Sequence, residues 1–269
     1  MKHLLFFLFF LNVYFLNAQS EQGCLPIGEY RILPSKILKE ERVLNIYLPP
    51  TYDAAKSYPV IYLLDGSLNE DFVHIAGLVQ FFNLMHGMPD CIVVGISNVD
   101  RKRDFTFHTD LEDLKQKYPT TGHSDAFIQF IEKELQPFIR QQYKTTDEQW
   151  LIGQSLGGLL ASEILLKKPQ LFSHYMIVSP SLWWDNKSML KAAERLLAAQ
   201  KAQPKFVYIA VGKKEPKIMR SVAKKLHKLL EKHRAPGTKL HFQMMRDEDH
   251  ATILHNCIYK GLLLVYQRQ

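Results

Sequence analysis

Gly153-Gln154-Ser155-Leu156-Gly157 sets a serine between two glycines, after the apolar run Trp150-Leu151-Ile152 and before a helix-like stretch from Leu159 to Lys167. A serine on a sharp strand-to-helix turn is held strained and exposed, and flanking glycines remove the side chains that would clash there. Its hydroxyl then stands beside a helix N-terminus whose free N–H groups can hold a developing oxyanion. Chance composition yields G-x-S-x-G about 0.1 times in a chain of this length. The strand before it and the helix after it therefore carry the argument; without them the segment is only a glycine-rich turn packing a helix on a sheet.

A serine hydroxyl is a poor nucleophile at neutral pH and needs a base, which in turn needs an orienting acid. After a serine elbow of this kind the acid comes next in the chain and the histidine last, all on loops at the carboxyl ends of strands. Among His174, His227, His233, His241, His250 and His255, only His250 follows the last predicted strand, in the polar loop Arg246-Asp247-Glu248-Asp249, and precedes the last helix. His250 is the candidate base. The loop Gly212-Lys213-Lys214-Glu215-Pro216 has one carboxylate, so Glu215 is the candidate acid. Its other role would be a first-turn acid stabilising the next helix, with Pro216 opening that helix. Asp249 is a rival orienter, and a Ser–His pair without a strong acid is a third arrangement. An oxyanion hole needs two backbone N–H donors. One would be Leu156, directly after the nucleophile, and the other Ser67, in the turn after Leu64-Asp65-Gly66.

The elements that must position these groups alternate along the chain. Opening strands fall at Glu29 to Ile32 and Val43 to Leu48. Continuous apolar runs at Val60–Leu64 and Ile92–Ile96 read as strands covered on both faces. Further strands fall at Trp150, Tyr175–Val178, Phe206–Val211 and Leu240–Met245. Helical patterns cover Asp71–Met85, Asp125–Tyr143, Met189–Ala199, Ile218–Leu230 and Thr252–Tyr266. This rhythm predicts an α/β fold with a mostly parallel central sheet and helices on both faces. The polar segment Ser97–Gly122 is too long for a plain connection and reads as functional.

The first residues, Met1-Lys2-His3 followed by an apolar run to Leu16 and then Asn17-Ala18, read as a secretory signal peptide over residues 1–18. The run is shorter than the about 20 residues that span a bilayer. Residues 19–269 then form a single domain with no repeat, low-complexity tract or linker, and a periplasmic or secreted protein with no stable membrane insertion after cleavage is expected. Cys24 lacks the aliphatic residue upstream that a lipid anchor requires. Cys24, Cys91 and Cys257 show no metal-ligand spacing; buried free thiols are expected, and an oxidising compartment also permits a disulfide. The formal charge of +7 is scattered, and Lys224, Lys225, Lys228 and Lys232 fall on the outer face of an amphipathic helix. No basic patch interleaved with aromatics accompanies them, so nucleic-acid binding is not indicated. The sequence does not disclose an oligomeric state.

Taken together, Tyr62-Leu63-Leu64-Asp65-Gly66, Gly95-Ile96-Ser97-Asn98 with Arg101 and Arg103-Asp104, Gly153 through Gly158, and Ser179-Pro180-Ser181-Leu182-Trp183-Trp184 resemble the esterase family of α/β hydrolases. That family includes bacterial siderophore esterases, feruloyl and acetylxylan esterases and S-formylglutathione hydrolases. The Asp-Gly turn and the Ser-Leu-Trp-Trp segment look closest to its siderophore-esterase-like branch. The resemblance runs from about Tyr47 to the end. It implies an α/β-hydrolase fold and a serine carboxylic-ester hydrolase acting on a small-molecule ester without metal or cofactor. It places Ser155, Glu215 and His250 on the triad positions, Ser67 and Leu156 on the oxyanion positions, and Arg101, Arg103 and Trp183 near the substrate mouth. From the residues alone, Arg101 and Arg103 either bind an acidic substrate or tether the long loop through Asp100 and Asp104. Trp183 and Trp184 either stack on a substrate ring or pack under a loop. An acyltransferase and a catalytically inactive binding module are the other functions this scaffold could carry.

Overall fold

A computed structural model describes residues 27–201 and 203–266; the expected signal peptide and Cys24 lie outside them. Among the described residues eight strands form one sheet in the order β1-β2-β4-β3-β5-β6-β7-β8. They are β1 (Glu29–Ser35), β2 (Glu40–Tyr47), β3 (Tyr58–Leu63), β4 (Ile92–Ile96), β5 (Thr145–Gln154), β6 (His174–Val178), β7 (Phe206–Gly212) and β8 (Lys239–Met245). The β1–β2 and β2–β4 pairings are antiparallel. From β4 across to β8 every pairing is parallel. The carboxyl ends of six strands therefore share one edge, where loops of an α/β sheet build sites.

The helices are α1 (Phe72–His86), α2 (Arg101–Phe105), α3 (Glu112–Lys117), α4 (Ser124–Phe130), α5 (Gln136–Gln142), α6 (Leu156–Lys167), α7 (Trp184–Ala198), α8 (Lys217–His233) and α9 (Ile253–Val265). Strand residues alternate between two apolar layers, as the pleat requires. Ile61, Leu63, Val93, Trp150, Ile152, Met176 and Tyr208 face α1 and α9. Val60, Tyr62, Val94, Leu151, Ile177 and Ile209 face the layer of α4, α6, α7 and α8. Helices thus cover both faces of a mostly parallel sheet.

Local sequence explains the individual helices. Every residue of α6 from Leu156 to Leu166 is buried, which fits its nearly uninterrupted apolar composition. In α8, Met219, Val222, Ala223, Leu226 and Leu230 are buried at helical spacing, while Lys224, Lys225, Lys228 and Lys232 are exposed. The basic set is a solvated helix face. Among the described residues no helix is long and apolar enough to cross a membrane. Cys91 and Cys257 are buried free thiols in the α1–α9 layer.

Three elements differ from the sequence reading. The single helix expected over 125–143 is α4 and α5 joined by a π-helical turn at Ile131–Leu135. The helix expected from Met189 begins at Trp184, across a kink where Asp185, Asn186 and Lys187 adopt positive φ. The long segment 97–122, to which the sequence assigns no element, contains α2 and α3.

Candidate active site

Ser155 is the single residue between β5 and α6, with φ 60° and ψ −115°. Such a conformation is costly for a residue with a Cβ. The turn can be this tight because its neighbours are glycines. A Cβ on Gly153 would lie 2.4 Å from the Gly157 carbonyl oxygen, and one on Gly158 would lie 2.7 Å from that of Val178. The Ser155 N–H donates to the Val178 carbonyl at 3.0 Å, tying the elbow to the end of β6. Asp65 and Ser179 also carry positive φ, just beyond the carboxyl ends of β3 and β6, so backbone strain gathers on this one edge.

The structure brings Ser155, His250 and Glu215 into one hydrogen-bonded chain. His250 Nε2 lies 3.0 Å from Ser155 Oγ, and His250 Nδ1 lies 2.9 Å from Glu215 Oε2. The loops that supply them are zipped together: the N–H groups of Lys213 and Lys214 donate to the carbonyls of Met245 and Glu248 at 2.8 and 3.1 Å. Gly212 lets those loops approach, since a Cβ there would meet the Glu248 oxygen at 2.5 Å. Gln154 Nε2 donates to the His250 carbonyl at 2.5 Å, which fastens the histidine loop to the elbow. The other histidines after Ser155 sit within β6, α8, β8 and α9. Asp249 does not touch the imidazole; its Oδ1 accepts the N–H groups of Ala251 and Thr252 at 2.8 and 3.2 Å.

Glu215 is buried while the His250 side chain is 42% exposed, so the chain runs from interior to cleft. Burial alone pushes the Glu215 carboxyl up, but hydrogen bonds from His250, from Ser179 Oγ and from the Gly212 N–H outweigh it and hold it below the ordinary glutamate value. An ionised, fixed carboxylate on Nδ1 makes Nδ1 the donor and leaves Nε2 to accept the serine proton. Ser181 Oγ, a second hydroxyl, lies 3.4 Å from Ser155 Oγ.

Ser155 and His250 open on a cleft of about 390 Å³ lined also by Asp65, Glu70, Asp71, Arg101 and Gln154. A separate, mainly apolar cavity of about 190 Å³ between α7, α8 and the amino ends of β7 and β8 contains none of these groups. Arg101 lines the Ser155–His250 cleft as a bidentate partner of Asp65, at 2.6 and 2.8 Å, and its Nη2 also reaches the Gln154 carbonyl at 3.3 Å. It braces the walls on either side of Ser155.

Arg103 and Trp183, also expected near the mouth, are not among the residues lining the cleft. Arg103 pairs with Glu40 at 2.6 Å and Asp104 at 2.7 Å, and Asp104 in turn holds the buried Arg42 of β2, so Arg103 ties the 97–122 segment to β2. Trp183 is half-buried and packs on the core, while Trp184 is buried and donates to the Phe107 carbonyl at 2.9 Å. As the first residue of α6, Leu156 offers an N–H with no intrahelical acceptor. The Ser67 N–H points at Glu70 Oε2 at 3.3 Å.

Sequence reasoning missed Asp71. It sits at the start of α1, but its side chain makes no capping bond. Burial, and then the neighbouring carboxylates Asp65 and Glu70, push its carboxyl up to about 6 against the pull of Arg101. A carboxyl raised in the folded state is a cost to folding wherever it is ionised. That cost is full above pH 6, shrinks between pH 6 and the ordinary 3.8, and vanishes below. Asp71→Asn is therefore expected to raise Tm at pH 8 by about 2–4 °C, allowing for solvent screening of a half-exposed group. At pH 4 it is expected to change little. Thermal melts at the two pH values check this, and a pH-independent shift would assign the effect to packing.

A doubly covered, mostly parallel sheet carrying a strained serine at a strand–helix elbow, with histidine and carboxylate on later loops of the same edge, is the architecture of the α/β-hydrolase fold. The chain belongs to the family described as "Putative esterase", whose model matches residues 35–253. It is 29% identical over 269 residues to the ferri-bacillibactin esterase BesA of Bacillus subtilis, covering 91% of this chain and 92% of that protein. The crystal structure of the BES protein from Bacillus cereus has 30% identity and a TM-score of 0.81, over 93% of this chain and 98% of that one. An IroE-like serine hydrolase from Shewanella oneidensis has 31% identity and a TM-score of 0.81, over 89% and 80%.

Proposed function

We propose that this chain is a serine carboxylic-ester hydrolase that works through an acyl-enzyme and cleaves a siderophore-type ester outside the cytoplasm. The continuous hydrogen-bonded run from Ser155 through His250 to Glu215 carries the chemical part of that reading. The similarity to a ferri-bacillibactin esterase over nearly the whole of both chains supports the substrate class. The apolar amino-terminal segment supports the location.

In the proposed reaction Ser155 Oγ attacks the ester carbonyl as His250 Nε2 takes its proton. The tetrahedral oxyanion rests on the Leu156 N–H and on the Ser67 N–H, whose 3.3 Å contact with Glu70 is longer than a good N–H···O bond and yields to a better acceptor. His250 then protonates the leaving alkoxide. Water repeats the sequence on the acyl-enzyme, frees the acid and restores the serine.

A hydrolysis panel tests the reading: the purified mature protein with a ferric tris-catecholate trilactone, its iron-free form, a ferric tris-hydroxamate ester and a feruloylated xylan fragment, products separated by chromatography. Trilactone opening and untouched xylan are expected. Among the described residues the cleft lining sets three carboxylates, Asp65, Glu70 and Asp71, against one guanidinium, Arg101, which Asp65 already pairs, so the iron-free trilactone should be cleaved faster than its triply anionic ferric form, by a ratio that falls with salt. Cleavage of xylan alone would change the substrate class. No turnover of any ester, with no labelling of Ser155 by a fluorophosphonate, would overturn the hydrolase reading.

A further inference from the structure

Ser179 is the first residue after β6. It is fully buried and has φ 43°, a conformation that favours glycine. Its N–H continues the sheet ladder to the Ala210 carbonyl at 2.8 Å, so the backbone has no freedom to relax. A serine here sits where a residue without a Cβ would be less strained, and its hydroxyl is the one group glycine could not supply. That hydroxyl donates to Glu215 Oε1 at 2.5 Å. The same oxygen accepts the Gly212 N–H at 2.7 Å, while Oε2 faces His250 Nδ1 at 2.9 Å. Oε1 is thus anchored by two donors from two strand ends, and Oε2 is left for the imidazole. Strain kept at a site commonly marks a functional demand on the residue that bears it.

We propose that Ser179 is a positioning residue of the hydrolase, holding the Glu215 carboxylate turned so that Oε2 meets His250. This rests on the reading of Glu215 as the orienting acid. Ser179 touches neither substrate nor the reacting atoms; it acts through Glu215 alone. Loss of its hydroxyl removes a donor to the charged carboxylate, which makes ionisation harder and lets the carboxylate rotate about the remaining Gly212 anchor.

The test is Ser179→Gly, which removes the hydroxyl and suits the positive φ. Its Tm is expected within about 3 °C of wild type. Its kcat on a p-nitrophenyl ester should fall about tenfold to hundredfold, the size of one hydrogen bond to a charged group, with KM changed less than about threefold. The acid limb of its pH profile should move to higher pH. In a Glu215→Gln background the same substitution should cost less than about threefold, because both changes act through one carboxylate. Ser179→Ala keeps a Cβ and serves as the second variant; equal kcat losses in the two assign the effect to the hydroxyl rather than to relaxed backbone. A folded Ser179→Gly with wild-type kcat and pH profile would overturn the proposal, as would a full, additive loss in the Glu215→Gln background. Wild-type activity in Glu215→Gln itself would instead overturn the reading of the acid.

Discussion

Ser155→Ala is expected to lower kcat on p-nitrophenyl butyrate by at least about 10⁴-fold while leaving the fold and the affinity for the ester nearly unchanged. The hydroxyl's contacts are His250 Nε2 at 3.0 Å, on the cleft, and the buried Ser181 Oγ at 3.4 Å, a contact longer than a good O–H···O bond whose loss costs little. Alanine carries the same Cβ as serine and bears the same positive φ, so the elbow's strain is unaltered. In the proposed reaction no covalent acyl-enzyme forms without Oγ. The neighbouring hydroxyl of Ser181 cannot replace it, because Ser181 is buried and its N–H is fixed on the Ser155 carbonyl at 3.0 Å. Steady-state kinetics, a thermal melt and intact-mass analysis after fluorophosphonate treatment check each part. Turnover within tenfold of wild type, or a label that persists in the variant, would remove Ser155 from the mechanism.

Parts of this site were legible because one residue type has few places to go. The elbow reads from sequence because glycines at 153 and 158 answer to backbone contacts of 2.4 and 2.7 Å. Glu215 reads because its loop holds one carboxylate and that loop follows a buried strand. The interior strands read because both faces are covered, which demands an unbroken apolar run. The polar start of β5, Thr145 to Gln149, gave no such signal, since its residues are largely half-exposed. Arg103 was hidden because its partner Glu40 is 63 residues away, and ion-pair choice across that distance is set by sheet order. Ser179 and Asp71 were hidden for a related reason: their roles exist only after loops from β3, β6 and β7 meet at one edge. The left-handed run Asp185-Asn186-Lys187 suits its first two residues better than its third, and helical periodicity cannot report it.

Glu215→Gln is expected to lower kcat about 10³- to 10⁴-fold, whereas Asp249→Asn should leave it within about twofold. The reasoning turns on which end of the amide faces which partner. Oε1 of Glu215 accepts from both Ser179 Oγ and the Gly212 N–H, so in the glutamine the carbonyl oxygen takes that place and the NH₂ is delivered to His250 Nδ1. An NH₂ there can only donate, which makes Nδ1 the acceptor and puts the ring proton on Nε2. Nε2 then faces Ser155 Oγ with a hydrogen already in place and cannot take another. This is the wrong tautomer, a defect that costs about 10⁴ in kcat in a serine protease triad. Asp249 accepts the N–H groups of Ala251 and Thr252, and an asparagine oxygen accepts those equally well. Measuring kcat for both variants on one ester separates the two candidate acids in a single experiment. A large loss in Asp249→Asn with near wild-type turnover in Glu215→Gln would transfer the orienting role to residue 249 and leave the buried carboxylate with no catalytic part.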